Sequence, residues 1–264
     1  MALAHSDHAR EQYQDASRLD ARARLYERFA REDEPWYRWL LRQLAPASGE
    51  QILDVGAGSG GVWRENPVSL PAGVRVALFD RSCAMLKEAR SREAPATLAA
   101  VGDAGALPFR DRSFDALLSA HMLYHVADRA GALREMRRVL RRGGRLCVAT
   151  NDQAHLIELR ELASGFALGG ELFSLGRSED TFSLESARDE VSGAFGPVHV
   201  VRRRVRLEIT EALPVVDYVR SMLPEGETGS EEALAELGRE VERHIARSGA
   251  FVTVASAGVV MARA

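Results

Sequence analysis

Apolar residues in the first 47 positions recur at helical spacing. The residues that set this spacing are Leu25, Phe29, Trp36, Trp39, Leu40 and Leu44. Such a repeat places apolar side chains on one face of a helix. Pro35 suits the start of a helix, because its ring fixes the backbone angle that the first turn requires. The pattern therefore predicts helices over residues 1–47, with a new helix that starts at Pro35.

A regular alternation of short apolar runs and amphipathic runs begins at Gln51. The apolar runs predict strands over 51–58, 74–80, 97–104, 113–121 and 145–151, and the amphipathic runs predict helices over 82–91 and 128–142, the second ended by Gly143 and Gly144. Strands that alternate with helices of about a dozen residues form βαβ units and a parallel sheet. This part of the chain therefore predicts a doubly wound, Rossmann-like α/β fold.

The last hundred residues have a different pattern, in which helices are inserted between two final strands. Helices are predicted over 154–168, 184–195, 212–223 and 231–247, strands over 198–210 and 251–264, and a loop over 223–232. The two strands would complete a seven-stranded sheet, and the inserted helices would form a cap. With no internal repeat and no low-complexity linker, the whole chain, 1–264, is predicted to be one domain.

Composition excludes several classes of protein. The chain has 264 residues, of which 46% are hydrophobic, and no apolar run approaches the roughly 20 residues of a membrane-spanning helix. The N-terminal segment carries charges of both signs and lacks the apolar block of a signal peptide, so a cytoplasmic protein is expected. Cys83 and Cys147, which lie far apart in sequence, indicate a reducing compartment and exclude a disulfide scaffold.

The charge distribution gives no reason to expect a nucleic acid or a membrane as partner. The net charge is −3, and the arginine-rich runs at 134–142 and 202–206 interleave arginines with apolar residues at helix or strand period. Both runs are interpreted as solvated faces. Lys87 is the only lysine.

The stretch DVGAGSGG at 54–61 follows the first predicted strand and fits two motifs. Gly56, Gly58 and Gly61 form G-x-G-x-x-G, which is typical of dinucleotide enzymes, and Asp54, Gly56 and Gly58 form D-x-G-x-G. In a doubly wound sheet this loop meets the ligand at the carboxyl ends of the strands. A carboxylate at Asp54 disfavours a pyrophosphate but favours S-adenosylmethionine, which carries a sulfonium and an ammonium group.

Two further acids follow the second and third strands. Asp80 is positioned to accept hydrogen bonds from ribose hydroxyls, in either cofactor class. Asp103 is positioned to accept a hydrogen bond from the amine of an adenine. The alternative for Asp103 is a turn or helix N-cap residue. A Tyr/Lys pair four residues apart is absent, and Lys87 lies in the helix after the second strand. The residues therefore favour the sulfonium cofactor over a nicotinamide.

Segments in this order and spacing resemble the class I S-adenosylmethionine-dependent methyltransferases of the small-molecule type. They are ILDVGAGSGG, FDRSCAML, VGDAGALPFRDRSFDALLSAHMLYHVAD and LRRGGRLCVATN, and they cover roughly residues 50–151. The resemblance implies a cofactor-binding core at 50–151, an N-terminal helical lid at 1–47, an acceptor cap within 152–264, and an antiparallel last strand. It identifies S-adenosylmethionine as cofactor, but no acceptor motif matches.

The resemblance also implies roles for individual positions. Those implied to contact the cofactor are Gly56, Ala57 and Gly58 under the methionine part, Asp80 and Arg81 at the ribose and adenine edge, Asp103 and Ala104 at the adenine, and Ala120 and His121 after the fourth strand. In the N-terminal segment, Tyr13 and Arg22 are further candidates, because a cation there could pair with the cofactor's carboxylate as the lid closes.

Acceptor-side candidates follow the fourth and fifth strands. They are His121, Tyr124 and His125 in AHMLYHV, and Asn151 and His155 in TNDQAH. A histidine near its usual pKa is a natural general base. If the turn after the fourth strand is helical, His121 and His125 share a face that would suit a metal, but no third ligand is in register, and no metal is expected.

The sequence thus predicts an enzyme that transfers a methyl group from S-adenosylmethionine to an O, N or C atom of a small-molecule acceptor. It is expected to act as a monomer or homodimer. The alternative is a protein of the same fold that cleaves or cyclises the cofactor, or binds it without methyl transfer.

Overall fold

The computed structural model describes residues 16–31, 34–64, 70–92, 96–166, 168, 182–223 and 230–264. The helices in chain order are α1 (Ala16–Phe29), α2 (Trp36–Leu44), α3 (Gly61–Arg64), α4 (Cys83–Ser91), α5 (Arg129–Val139), α6 (Ile157–Ser164), α7 (Leu184–Phe195), α8 (Leu213–Met222) and α9 (Ser230–Ser248). The strands are β1 (Ala30–Arg31), β2 (Gln51–Val55), β3 (Arg75–Asp80), β4 (Leu98–Val101), β5 (Phe114–Ala120), β6 (Leu140–Asn151), β7 (His199–Ile209) and β8 (Phe251–Arg263). A short 3₁₀ turn spans Leu123–His125.

The strands form a sheet in the order β1-β7-β8-β6-β5-β2-β3-β4. Strand β2 pairs in parallel with β3 and β5, and the parallel pairs β3 with β4 and β5 with β6 extend the sheet on either side. Strand β8 pairs antiparallel with β6, and the two-residue β1 pairs antiparallel with β7. The predicted doubly wound, mostly parallel sheet with an antiparallel last strand is confirmed, with β1 as an eighth strand. The strand order reverses beside β2, which is where such sheets bind ligands.

Chain contacts divide the molecule into two compact units. The core unit comprises residues 34–152, 182–202 and 257–264, and the second unit comprises 1–33, 153–181 and 203–256. In the core unit, successive residues of β2 point to opposite faces: Leu53 and Val55 pack with α5 and α7, whereas Ile52 packs with α2, α3 and α4. Both faces of the strand are buried, which explains why the parallel strands read as continuous apolar runs.

The second unit has its own apolar core, formed mainly by α1, α6, α8 and α9. Helix α9 contributes Leu234, Leu237 and Val241, whose spacing places them on one face, and α8 contributes Val215 and Val219. Burying one such side chain contributes roughly 1.5–3 kcal/mol. No helix among the described residues combines the length and the hydropathy that crossing a bilayer requires.

Several predicted boundaries differ from the structure. The helix predicted over 154–168 spans only Ile157–Ser164, and the strand predicted over 145–151 already begins at Leu140. Helix α5 ends at Val139 and not at Arg142, because Leu140 already pairs with Phe114 as the first residue of β6. Helix α9 begins at Ser230, inside the predicted loop at 223–232, of which residues 224–229 lie outside the described residues. Residues 1–15 of the predicted N-terminal helical segment, 1–47, also lie outside them.

Candidate cofactor site

The glycine loop leaves β2 and is held against the end of β3. The backbone N–H groups of Gly56 and Ala57 both donate to the carbonyl of Phe79, at 2.7 and 3.1 Å. Gly56 has a φ of +78°, and a Cβ at this position would lie 2.5 Å from the Cβ and Cγ of Met122. Only glycine fits both the backbone angle and the contact, so the loop is fixed between β3 and the turn after β5.

Asp80 ends β3 and organises the second half of the loop. Its Oδ2 accepts the N–H of Gly58 at 2.8 Å, and its Oδ1 accepts the N–H of Ser82 at 2.8 Å. Gly58 has a φ of +54°. Each carboxylate oxygen has capacity for a second hydrogen bond. Asp80 is therefore an oriented acceptor beside the loop, and its neighbour Arg81 is exposed.

Asp54 is a buried carboxylate in β2, with 2% of its surface exposed. The indole Nε1 of Trp63 donates to its Oδ2 at 2.7 Å. Burial raises the pKa of Asp54 to about 7; the bond from Trp63 opposes this rise, and the charge of Asp80 adds to it. Within the described residues, no arginine, lysine or histidine forms an ion pair with Asp54 or Asp80. The loop therefore carries negative charge that a cationic ligand would compensate.

Asp103 follows β4 in an exposed turn. Its Oδ1 accepts the N–H of Gly105 at 2.7 Å, so the carboxylate closes a turn, as the alternative interpretation of this residue predicts. The bond occupies one oxygen only, which leaves the second as an acceptor. Ala104 is buried, with 7% of its surface exposed.

The segment after β5 places His121 in a left-handed backbone conformation. Its φ is +52°, and its N–H donates to the carbonyl of Ala149 at 2.9 Å. Burial lowers the pKa of His121 to about 4, so the ring is neutral at pH 7. The centroids of the His121 and Trp36 rings are 5.5 Å apart, and Trp36 stacks on Trp39 at 5.0 Å. Ala120 is the last residue of β5 and is partly exposed.

Tyr124 and His125 lie in the 3₁₀ turn that follows. Tyr124 is 39% exposed, and the two ring centroids are 4.3 Å apart. The shared helical face of His121 and His125, considered as a metal site, is not formed, because His121 precedes the turn in a left-handed conformation. Among the described residues, no group of three or more His, Cys, Asp and Glu side chains could hold a metal ion.

Asn151 and His155 follow β6. Asn151 pairs with Ala257 as the last residue of the strand. His155 belongs to the second unit, where its Nδ1 lies 3.0 Å from the carbonyl oxygen of Ser256 and its Nε2 lies 3.1 Å from the hydroxyl of Tyr26. A carbonyl only accepts, so Nδ1 carries the proton. His155 therefore links α1 to β8 inside the second unit.

The two N-terminal candidates have different outcomes. Arg22 donates from Nη2 to the carbonyl of Ser221 at 2.8 Å and from Nε to its hydroxyl at 3.2 Å, both within the second unit. Its role in cofactor binding stays a prediction. Tyr13 lies outside the described residues.

Sequence reasoning missed Trp63, Trp36, Tyr37 and Met122. The ring of Tyr37 packs so closely on the loop that a Cβ at Gly61 would lie 3.1 Å from its hydroxyl. For Trp63 a signal existed, because an indole in the first helix after the loop is a donor that can reach the strand-end acid. The spacing of Trp36 indicated an ordinary core position, and no local pattern singled out Tyr37 or Met122.

Comparisons with known proteins show what the chain is similar to. Residues 53–148 match the family model described as "Methyltransferase domain". The chain is 33% identical over 163 residues to the ubiquinone/menaquinone biosynthesis C-methyltransferase UbiE of Paracoccus denitrificans, an alignment that covers 58% of this chain and 65% of the relative. The chain thus spans less than two thirds of that relative's length.

Solved structures share the fold. Phosphoethanolamine N-methyltransferase 2 of Haemonchus contortus, crystallised with S-adenosyl-L-methionine, superposes with a TM-score of 0.55 at 19% identity, covering 96% of this chain and 58% of that chain. The [4+2]-cyclase SpnF superposes with a TM-score of 0.56 at 15% identity, covering 96% of each chain. Residues 53–148 thus match a methyltransferase domain, and the fold of the chain is similar to that of class I S-adenosylmethionine-dependent methyltransferases.

Proposed function

We propose that the protein transfers the methyl group of S-adenosylmethionine to a small-molecule acceptor. The observation that carries this proposal is the buried carboxylate of Asp54 close to Asp80, with no cationic partner for either among the described residues. A ligand with a sulfonium and an ammonium group compensates this charge, whereas a pyrophosphate would be repelled. When bound, the cofactor supplies an electrophilic methyl group.

The residues around the loop suit the parts of this cofactor. Asp80 would accept the ribose hydroxyls through the free capacity of its two oxygens, and the second oxygen of Asp103 would accept the adenine amine. The backbone of Gly56, Ala57 and Gly58 would lie against the methionine part, and Asp54 would lie near its positive charge.

We further propose a hydroxylated aromatic ring, such as a quinol, as the acceptor. The support is the relative's name, which places it in ubiquinone and menaquinone biosynthesis as a C-methyltransferase. Ionising a ring hydroxyl raises the electron density on the ring, so a residue that takes this proton would promote attack by a ring carbon. The free cysteines Cys83 and Cys147 suit the expected cytoplasmic location.

The acceptor-side residues differ in their fitness as a base. A base with a pKa of about 4, as His121 has, is poorly matched to a hydroxyl proton near neutral pH. We therefore assign His121 an orienting role and His125 the role of proton acceptor. Tyr124 and Asn151 are assigned to acceptor binding, because Tyr124 is exposed and Asn151 ends β6.

Product analysis tests the proposal. The protein is incubated with S-adenosylmethionine and a panel of quinols, phenols and amines, and the products are separated by chromatography with mass detection. S-adenosylhomocysteine formed in equal amount with a methylated acceptor would support methyl transfer. Methylthioadenosine would instead indicate cleavage of the cofactor, and calorimetric binding without any product would indicate a sensor.

A further inference from the structure

A hollow of about 550 Å³ lies in the core unit, away from the glycine loop. We call it the arginine hollow, because its lining includes Arg112, Arg134, Arg137, Arg138 and Arg142, together with Asp111. These residues surround the amino ends of β5 and β6, whereas the glycine loop lies at the carboxyl ends of the parallel strands. Strand β5 has seven residues, so roughly 20 Å separates the two edges.

One arginine of the hollow is already neutralised. Arg138 donates to Glu135 and to Asp111, each at 2.7 Å, and also to the carbonyls of Leu107 and Phe109. These bonds fix its guanidinium as part of the wall. Two carboxylates around one guanidinium leave a net charge of about −1 at this point, so the five arginines together with Asp111 and Glu135 carry about +3.

Within the described part of the chain, none of the other four arginines is held by a short ion pair. In the described part of the chain, Arg112, Arg137 and Arg142 form no ion pair, and Arg134 reaches Asp128 only at 3.8 Å, with both side chains more than 70% exposed. Arg137 donates to the carbonyl of Ala194 and its guanidinium lies 5.8 Å from the Phe195 ring centroid, so its position is also set. The hollow therefore concentrates positive charge on a chain whose net charge is −3.

The backbone keeps Arg112 at the rim despite a local cost. Arg112 has a φ of +51°, which side-chain-bearing residues rarely adopt, and its N–H donates to the carbonyl of Arg138 at 2.9 Å. This bond ties the loop before β5 to the last turn of α5. Arginines from the loop, the helix and the start of β6 are thus held around one volume.

We propose that the arginine hollow binds a small soluble anion with two or more phosphate groups, such as a diphosphate or triphosphate. Guanidinium groups match phosphate oxygens in bidentate geometry. A singly charged anion would leave most of the positive charge uncompensated, whereas a ligand with three or four negative charges balances it. The concave shape and its volume suit a small molecule more than a flat lipid surface. The site is separate from the cofactor site.

The test is calorimetric titration of the full chain with sodium triphosphate, at constant ionic strength and with a chelator to remove divalent cations. We expect saturable binding of one ligand per chain. The double variant Arg112→Ala/Arg142→Ala should weaken binding at least tenfold while S-adenosylmethionine binding is unchanged. The control Arg75→Ala/Arg90→Ala removes the same charge from exposed positions outside the hollow and should bind triphosphate like the wild type.

Three results would overturn the proposal. They are heats that never saturate, an equal loss of binding in the control variant, and binding to phosphatidylglycerol vesicles that depends on Arg112 and Arg142 while triphosphate does not bind. Circular dichroism and thermal unfolding verify that both double variants are folded. If the double variant does not fold, Arg112→Gln and Arg142→Gln tested singly must each weaken triphosphate binding for the proposal to stand.

Discussion

Replacing Asp54 by asparagine isolates the charge at the centre of the proposed site. Asparagine has nearly the same shape and its Oδ1 can still accept the N–H of Trp63, which lies 2.7 Å from the aspartate oxygen. The substitution therefore removes the ionisable group and keeps the hydrogen bond. Its effects on stability and on ligand binding should have opposite signs.

The expected change in unfolding free energy follows from the pKa of Asp54, which burial raises from 3.8 to about 7. Between these two values the folded protein binds a proton that the unfolded chain has lost, so wild-type stability falls as the pH rises through this window. A difference of roughly three units corresponds to about 4 kcal/mol. The asparagine variant cannot ionise here, so it should unfold with a larger free energy than the wild type at pH 8 and a similar one at pH 4.

Ligand binding should respond in the opposite direction. A cation near the carboxylate favours its ionised form, so wild-type affinity for S-adenosylmethionine should increase from pH 6 to pH 8, with release of a proton. The variant should bind more weakly at pH 8 and lose this pH dependence. S-adenosylhomocysteine keeps the ammonium but lacks the sulfonium, so a loss confined to S-adenosylmethionine would assign Asp54 to the sulfonium.

The assays are urea unfolding and titration calorimetry at pH 4, 6 and 8. The control variant is Asp189→Asn, which changes an exposed aspartate of the core unit. Calorimetry in two buffers of different ionisation enthalpy measures the released proton. If the variant and the wild type show the same slope of stability with pH, the desolvation argument is refuted. Unchanged affinity for both ligands would remove Asp54 from the site.

Three further outcomes are expected. Asp80→Ala should lose about 2–3 kcal/mol of cofactor binding by calorimetry, and its melting temperature should also fall, because Asp80 accepts two backbone N–H groups; unchanged affinity would exclude the ribose contact. Gly56→Ala should lower the unfolding free energy by about 1–3 kcal/mol, because its Cβ would meet the Cβ and Cγ of Met122 at 2.5 Å. Met122→Gly in the same chain removes both atoms and should restore part of the loss; no restoration would contradict the steric cause. Once an acceptor is known, His125→Ala should lower kcat by about 10²-fold or more with cofactor affinity intact, and the kcat–pH profile should show no step from His121 near pH 6.5, since its pKa is about 4; wild-type turnover in the His125 variant would remove this base from the mechanism.

The sequence by itself determined the fold class and the position of the glycine loop after the first strand of the parallel sheet. Apolar runs of strand length alternate with amphipathic helices, and this local pattern, together with the handedness of βαβ units, leaves few other topologies. Asp54 and Asp80 could be placed near each other because each lies at the carboxyl end of a strand, and these ends of parallel strands share one edge. Gly56 and Gly58 could be assigned because the turn after the first strand needs backbone angles that glycine adopts readily, and both have positive φ.

The tertiary structure decided what surrounds these residues. That Trp63 bonds to Asp54, that Met122 covers Gly56 and that Trp36 packs on His121 are contacts between side chains separated in sequence. The pKa values of Asp54 and His121 depend on how far these neighbours exclude water.

Two further features could not be predicted from local sequence pattern, because both depend on contacts between elements that are distant in sequence. The spacing of His121 and His125 allows a shared helical face, but His121 is left-handed and its N–H donates to the carbonyl of Ala149 in the adjacent strand, so the two residues do not lie on one helix. The arginines at 134–142 look like one solvated helix face, yet the unpaired positive charge arises where a loop, a helix and a strand meet. Periodicity specifies which face of an element a residue occupies, and only the packing of elements specifies what that residue meets.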